Sequence, residues 1–145
     1  MSAFADSSAL VKLYADEPGS DDLTGLSAIS VSSIARVEVP AAVWRKQRIA
    51  ELSVAEAAVL VQAFEVDLLG TLEEEPRFAA IDVRAAVLDG AASLLAAHGL
   101  RAYDAVQLAS ALAAREADPD CESFACFDHE LRDAASASGF TLIPE

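Results

Sequence analysis

The sequence predicts an α/β fold with a mainly parallel central sheet flanked by helices on both faces. Three observations lead there. Short apolar, β-prone segments alternate along the chain with longer stretches of helical spacing. Strands separated by helices pair in parallel and are covered on both sides. At 145 residues the chain fits one compact domain, residues 1–145, with one hydrophobic core.

Ala3 to Ala5 form a short apolar strand ending at Asp6, and Ala9 to Tyr14 carry apolar residues at helical spacing. Glu17-Pro18-Gly19-Ser20 breaks that helix, and Asp21 to Leu26 leaves room for one or two turns. Ala28 to Val31 is the second strand, after which Ser32 or Ser33 caps a helix running through Glu38 toward Arg48. Pro40 lacks the amide a helix interior uses, which predicts a kink after Glu38 or a restart at Pro40. Ser53-Val54-Ala55-Glu56 is a capping-box pattern that opens a helix to Leu69, closed by Gly70. Glu73 to Pro76 forms a solvated turn, Phe78 to Ile81 a third strand, and Asp82 caps a helix through Ala97 that stops near Gly99. The next helix starts at Ala102 or Tyr103 and ends near Ala117. Ser123 to Phe127 is the fourth strand with Asp128 at its end, His129 to Ser138 a helix closed by Gly139, and Phe140 to Ile143 the last strand.

Composition bounds the function. Hydrophobic residues make up 54% of the chain, yet no stretch approaches the length of apolar sequence needed to cross a bilayer. No basic segment followed by an apolar run marks a signal peptide, so a cytoplasmic location is expected. Cys121 and Cys126 are expected as free thiols in that reducing setting, with Cys126 in the core. The formal charge of -14, from 24 acidic and 10 basic residues, argues against a broad grip on a phosphate backbone. Divalent cations held between carboxylates and phosphate can invert that potential locally.

The carboxylates carry the chemistry. Asp6 and Asp128 each follow an apolar strand, and parallel strands bring such residues to one sheet edge, where ligands bind. Asp104 falls in the first turn of its helix and Glu38 early in another. Four acids from four segments repel unless hard cations neutralise them, and oxygen donors without zinc-spaced His or Cys favour Mg²⁺ or Mn²⁺. Taken singly, Asp6 and Asp128 are also ordinary helix caps and Asp104 an ordinary first-turn acid. Arg101 lies where it can steer phosphate toward Asp104, or is a surface arginine. Arg45, Lys46 and Arg48 form a compact basic cluster that touches substrate, touches an acidic partner, or is a solvated helix end. His98 is placed to help end its helix, and His129 to lie on the surface.

Phe4-Ala5-Asp6-Ser7-Ser8-Ala9-Leu10-Val11-Lys12-Leu13-Tyr14, then Glu38, then Leu100-Arg101-Ala102-Tyr103-Asp104-Ala105-Val106-Gln107-Leu108-Ala109, and finally Phe127-Asp128-His129-Glu130-Leu131 form an ordered set. In that order and at those separations the sequence resembles the PIN-domain family from Phe4 to Ile143, particularly its VapC-like toxins of toxin-antitoxin pairs. The resemblance implies a metal-dependent endoribonuclease that hydrolyses RNA phosphodiester bonds. It also implies a small cognate antitoxin and a homodimer. Carried over by position, Asp6, Asp104 and Asp128 are the implied ligands of Mg²⁺ or Mn²⁺, Glu38 the fourth acid, and Ser8 a hydroxyl that orients Asp6. Three places depart from the family pattern. Ser20 to Ser27 is short, Cys126 stands where Thr or Ser is usual and removes a hydroxyl donor near Asp128, and Pro40 follows Glu38 closely.

The short Ser20 to Ser27 segment, Cys126 and the acidity also suit a catalytically silent PIN-like module that only binds an antitoxin-like partner. Two other α/β classes gather acids at strand ends and fit less well. A receiver-like domain needs an adjacent acidic pair after an early strand, and a haloacid-dehalogenase-like phosphatase needs a second Asp where this chain has Ser8.

Overall fold

In the computed structural model, which describes residues 2–145, a five-stranded sheet runs in the order β3-β2-β1-β4-β5. The strands are β1 (Ser2–Ala5), β2 (Ala28–Ser32), β3 (Phe78–Ile81), β4 (Cys121–Ala125) and β5 (Thr141–Ile143), and every pairing among them is parallel. The helices are α1 (Ser7–Ala15), α2 (Asp21–Thr24), α3 (Ala35–Arg48), α4 (Val54–Leu69), α5 (Ala85–His98), α6 (Ala102–Ala117) and α7 (His129–Ala137). The predicted α/β class, with its parallel sheet and flanking helices, is what the chain forms.

Alternation along β1 splits the core. Ala3 and Ala5 face a cluster built from α1, α3 and α4, with Leu10, Val39, Val43 and Phe64 fully buried. Phe4 points the other way, into a cluster with Leu108 of α6, Phe124 of β4 and Leu131 of α7. Its ring lies 5.3 Å from that of Phe124, and burying a side chain of this size contributes about 1.5–3 kcal/mol. The two clusters therefore sandwich the sheet. The chain adds β2 and β3 on one side of β1, then crosses back to place β4 on the other. The boundary between β1 and β4 is the topological switch point, the place where such sheets open a crevice beyond their strand ends.

Local signals set most helix ends. Ser53 and Glu56 form the reciprocal capping box that opens α4, and Gly70 follows its last residue. Asp6 caps α1 and Asp128 caps α7, each accepting a backbone N–H three residues on. The short segment after Ser20 makes one turn, α2, and buries Leu23.

Four expectations need correction. Neither Ser32 nor Ser33 caps α3, whose N-cap is Ile34. Ser32 stays in β2, where its hydroxyl accepts from Ile34 N–H, and the Ser33 hydroxyl accepts from Val83 N–H. That second bond holds the chain after β3 extended, so α5 starts at Ala85 behind Arg84, and Asp82 pairs with Arg84 instead of capping. Of the two outcomes expected at Pro40, the restart does not occur: α3 is one helix from Ala35 to Arg48. The helix runs through it, and the bond it forfeits would have gone to the carbonyl of the exposed Arg36. Finally, β4 ends at Ala125, before Cys126 and Phe127. Beyond Cys126 the amides of Phe127 and Asp128 turn to Ser8 Oγ and Cys126 Sγ, which takes them off the ladder.

Candidate active site

Asp6 is anchored from both sides of the switch point. Its N–H donates to Ala125 O at 3.1 Å, which fixes it against β4. Its Oδ1 accepts from Ser8 Oγ at 2.7 Å and from Ala9 N at 3.0 Å, while Oδ2 accepts from Cys126 Sγ at 3.1 Å. Burial pushes Asp6 up to about 6, against the pull of the Ser8, Ala9 and Cys126 hydrogen bonds and with a smaller push from the charge of Asp104. Ser8 orients Asp6 as expected. The Cys126 thiol serves Asp6 more than Asp128, and burial followed by the Asp6 charge raises it above the ordinary thiol range.

Asp104 is the third residue of α6 and is half-buried. Its Oδ2 is enclosed and finds no hydrogen-bond donor among the described residues; Arg101 Nε approaches to 3.5 Å. Burial raises the Asp104 carboxyl, and the neighbouring charge of Asp128 raises it further, with Arg101 opposing both. Asp128 Oδ1 accepts from Leu131 N at 3.0 Å, and its Oδ2 lies 3.7 Å from Arg101 Nη2. Asp6 thus responds to the charge of Asp104, and Asp104 to that of Asp128, at the end of the sheet.

Glu38 reaches the same region by a different route. Its Oε1 accepts from Ser7 Oγ at 3.1 Å and from Gln107 Nε2 at 2.7 Å. Gln107 Nε2 also lies 3.0 Å from Ser7 Oγ, so α1, α3 and α6 are tied together beside the residue that follows Asp6. Gln107 is 2% exposed, and its Oε1 has no hydrogen-bond partner among the described residues. A cavity of about 340 Å³ opens beside Glu38, with Val37, Arg45 and Tyr103 in its walls.

Ser7 and Gln107 received no role from the sequence. A signal existed for Gln107, which stands three residues after Asp104 and so shares its helix face. Of the basic cluster, Lys46 is committed to ion pairs with Glu17 and Glu51. Arg45 remains beside Glu38. His98 ends α5 and His129 is exposed at the start of α7, as expected. Both cysteines are buried free thiols.

The donor set suits a hard divalent cation in kind. It is carboxylate oxygen, partly desolvated, with one enclosed oxygen unpartnered. Among the described residues, however, no three His, Cys, Asp or Glu side chains are drawn close enough together to hold a metal ion. Both Asp6 oxygens already accept hydrogen bonds, and Arg101 faces the other two acids.

A parallel sheet with acids at its switch point and at the start of a covering helix defines an α/β domain with an acidic crevice at its strand ends, and the family is specific. The chain belongs to the PIN domain family, whose model matches residues 3–136. Its fold is similar to a chain of a toxin-antitoxin complex from Klebsiella pneumoniae, at 16% identity and a TM-score of 0.66, over 96% of this chain and 95% of that one. It is also similar to a protein from Pyrobaculum aerophilum known from its crystal structure, at 19% identity and a TM-score of 0.65, over 99% of this chain and 84% of that one. At such identities the likeness is one of fold. No curated protein matches the chain.

Proposed function

We propose that this chain is a Mg²⁺- or Mn²⁺-dependent endoribonuclease, the cytoplasmic toxin of a toxin-antitoxin pair. The carrying observation is the enclosed, unpartnered Oδ2 of Asp104 at the β1/β4 switch point, where the charge of Asp128 raises the Asp104 carboxyl and that of Asp104 raises Asp6. Membership of the PIN-domain family and the likeness to a toxin-antitoxin complex chain support the same reading.

In this reading Asp6, Asp104 and Asp128 hold the cation, and Ser8 and Cys126 keep the Asp6 carboxylate aimed at it. A bound divalent ion supplies Lewis-acid polarisation of the scissile phosphate and a more acidic water. Ser7 and Gln107 both occupy Glu38 Oε1, which leaves Oε2 to accept the proton of the attacking water. Arg45 and Tyr103, in the wall of the cavity beside Glu38, offer a cation to phosphate and a ring to an unstacked base. Few other basic groups assist, so RNA is bound locally and not along an extended footprint.

The partner surfaces follow from exposed apolar side chains. Val37 on α3 and Val54, Val59, Val66 and Leu69 on α4 are all more than two-fifths exposed. We assign these helices to contacts with a second copy or with the antitoxin. A clean monomer in light scattering at about tens of micromolar protein, unchanged by the neighbouring gene product, overturns that assignment.

The reaction is tested by chelation and add-back. RNA cleavage is expected to vanish in excess chelator and return with Mg²⁺ or Mn²⁺, with an acid-site variant purified in parallel to expose contaminating nuclease. Cleavage that is equal with and without chelator, and absent from the variant, rules the metal-dependent mechanism out. The second reading is a PIN-like module that binds an antitoxin-like partner without catalysis. It is favoured by the full hydrogen-bonding of Asp6 and by the lack of a close three-acid cluster among the described residues. No cleavage under any metal condition, with retained partner binding, selects it.

A further inference from the structure

The Arg101 guanidinium meets two carboxylates from different elements. Nε lies 3.5 Å from Asp104 Oδ2, and Nη2 lies 3.7 Å from Asp128 Oδ2. Its backbone is the N-cap of α6, a helix of 16 residues. The positive end of a helix dipole repels a cation placed there. Packing does not confine the side chain either, since it is 77% exposed. What holds it over the helix start is the pair of acids.

Each acid turns its Oδ2 toward Arg101. Asp128 commits Oδ1 to Leu131 N–H, so Oδ2 is the one turned to the guanidinium. Asp104 Oδ2 is enclosed and has no hydrogen-bond partner among the described residues. The arginine therefore covers two spare carboxylate oxygens without satisfying either by a short hydrogen bond. That is the arrangement of a counter-ion, not of a structural clamp.

We infer that Arg101 is a displaceable internal counter-ion, competing with a divalent cation for Asp104 Oδ2 and Asp128 Oδ2. This rests on the metal-dependent reading proposed above. A guanidinium keeps its charge at any working pH, so the oxygens are cleared by displacement and not by loss of a proton. Two positive charges at the acids repel a third a few ångströms away, and the exposed side chain is free to swing outward. Arg101 thus steadies the acids before the ion arrives and gives way to it afterwards.

The test is Mn²⁺ binding to the intact chain, read from the loss of the free-ion electron paramagnetic resonance signal. Wild type, Arg101→Gln and Arg101→Lys are compared, with circular dichroism to check the fold of each. Removing the competing charge is expected to tighten Mn²⁺ binding about tenfold in Arg101→Gln. Arg101→Lys keeps the charge and is expected to bind as wild type does. Equal affinity in wild type and Arg101→Gln overturns the inference and leaves the metal-dependent reading standing. So does an Arg101→Lys protein that binds as tightly as Arg101→Gln. Absence of Mn²⁺ binding from both wild type and Arg101→Gln overturns that reading, and the counter-ion with it.

Discussion

The thiol of Cys126 donates to Asp6 Oδ2 at 3.1 Å, linking the residue after β4 to the residue after β1. The contact crosses the topological switch point and closes a ring with Ser8, whose hydroxyl donates to Asp6 Oδ1 and accepts from Phe127 N–H. A sulfhydryl is a weaker donor than the hydroxyl usual at this position. Asp6 consequently sits in an enclosed environment where its charge is only partly offset.

That environment makes stability depend on pH. Asp6 is pushed up to about 6 in the folded chain against an ordinary value of 3.8, so the folded state holds the proton more tightly. Its contribution is full below about pH 4 and is lost as pH rises through about 6, a change of about 3 kcal/mol. With chelator present, the urea unfolding free energy is expected to fall between these limits. Asp6→Asn keeps a good N-cap and removes the charge, so it should flatten much of the decline. A wild-type slope in that variant would show that Asp6 is not the group responsible.

Asp104→Asn separates a metal ligand from a simple helix-start charge. The change relieves repulsion from Asp128, lifts the push of the Asp104 charge on Asp6, and gives up the Arg101 pair, which is exposed on the arginine side and contributes less than about 1 kcal/mol. Without divalent ion the variant should melt at or above the wild-type temperature. With about millimolar Mg²⁺, which favours carboxylate oxygens, wild type should gain melting temperature while the variant gains little and no longer cleaves RNA. Retained cleavage together with a full metal-induced shift would remove Asp104 from the site.

Gln107 positions Glu38. Its Nε2 donates to Glu38 Oε1 at 2.7 Å from a fully enclosed position between α1, α3 and α6. Gln107→Ala should cost about 1–3 kcal/mol in urea unfolding, because the charged acceptor loses a buried donor. It should also lower the single-turnover cleavage rate with little change in metal affinity. A variant that is destabilised but cleaves at the wild-type rate would show that Glu38 needs no such positioning.

The sequence by itself determined the alternation of strands and helices, the parallel sheet, and the chain positions of the acids. These are local quantities. Apolar periodicity, the Ser53–Glu56 capping box and the strand-to-acid steps at Asp6 and near Asp128 are each written within a few residues, and the structure carries them through. It could not place the start of α5, because the Ser33 hydroxyl that holds Val83 extended comes from 50 positions earlier in the chain. Nor could it show the Cys126 thiol turned to Asp6, or Ser7 and Gln107 gripping Glu38, or Arg101 over two acids. Such contacts depend on how far each helix is rotated about its axis when its apolar face seats on the sheet. That rotation is fixed by the packing of residues a hundred positions apart, as Ser7 and Gln107 are, so only the tertiary structure decides it.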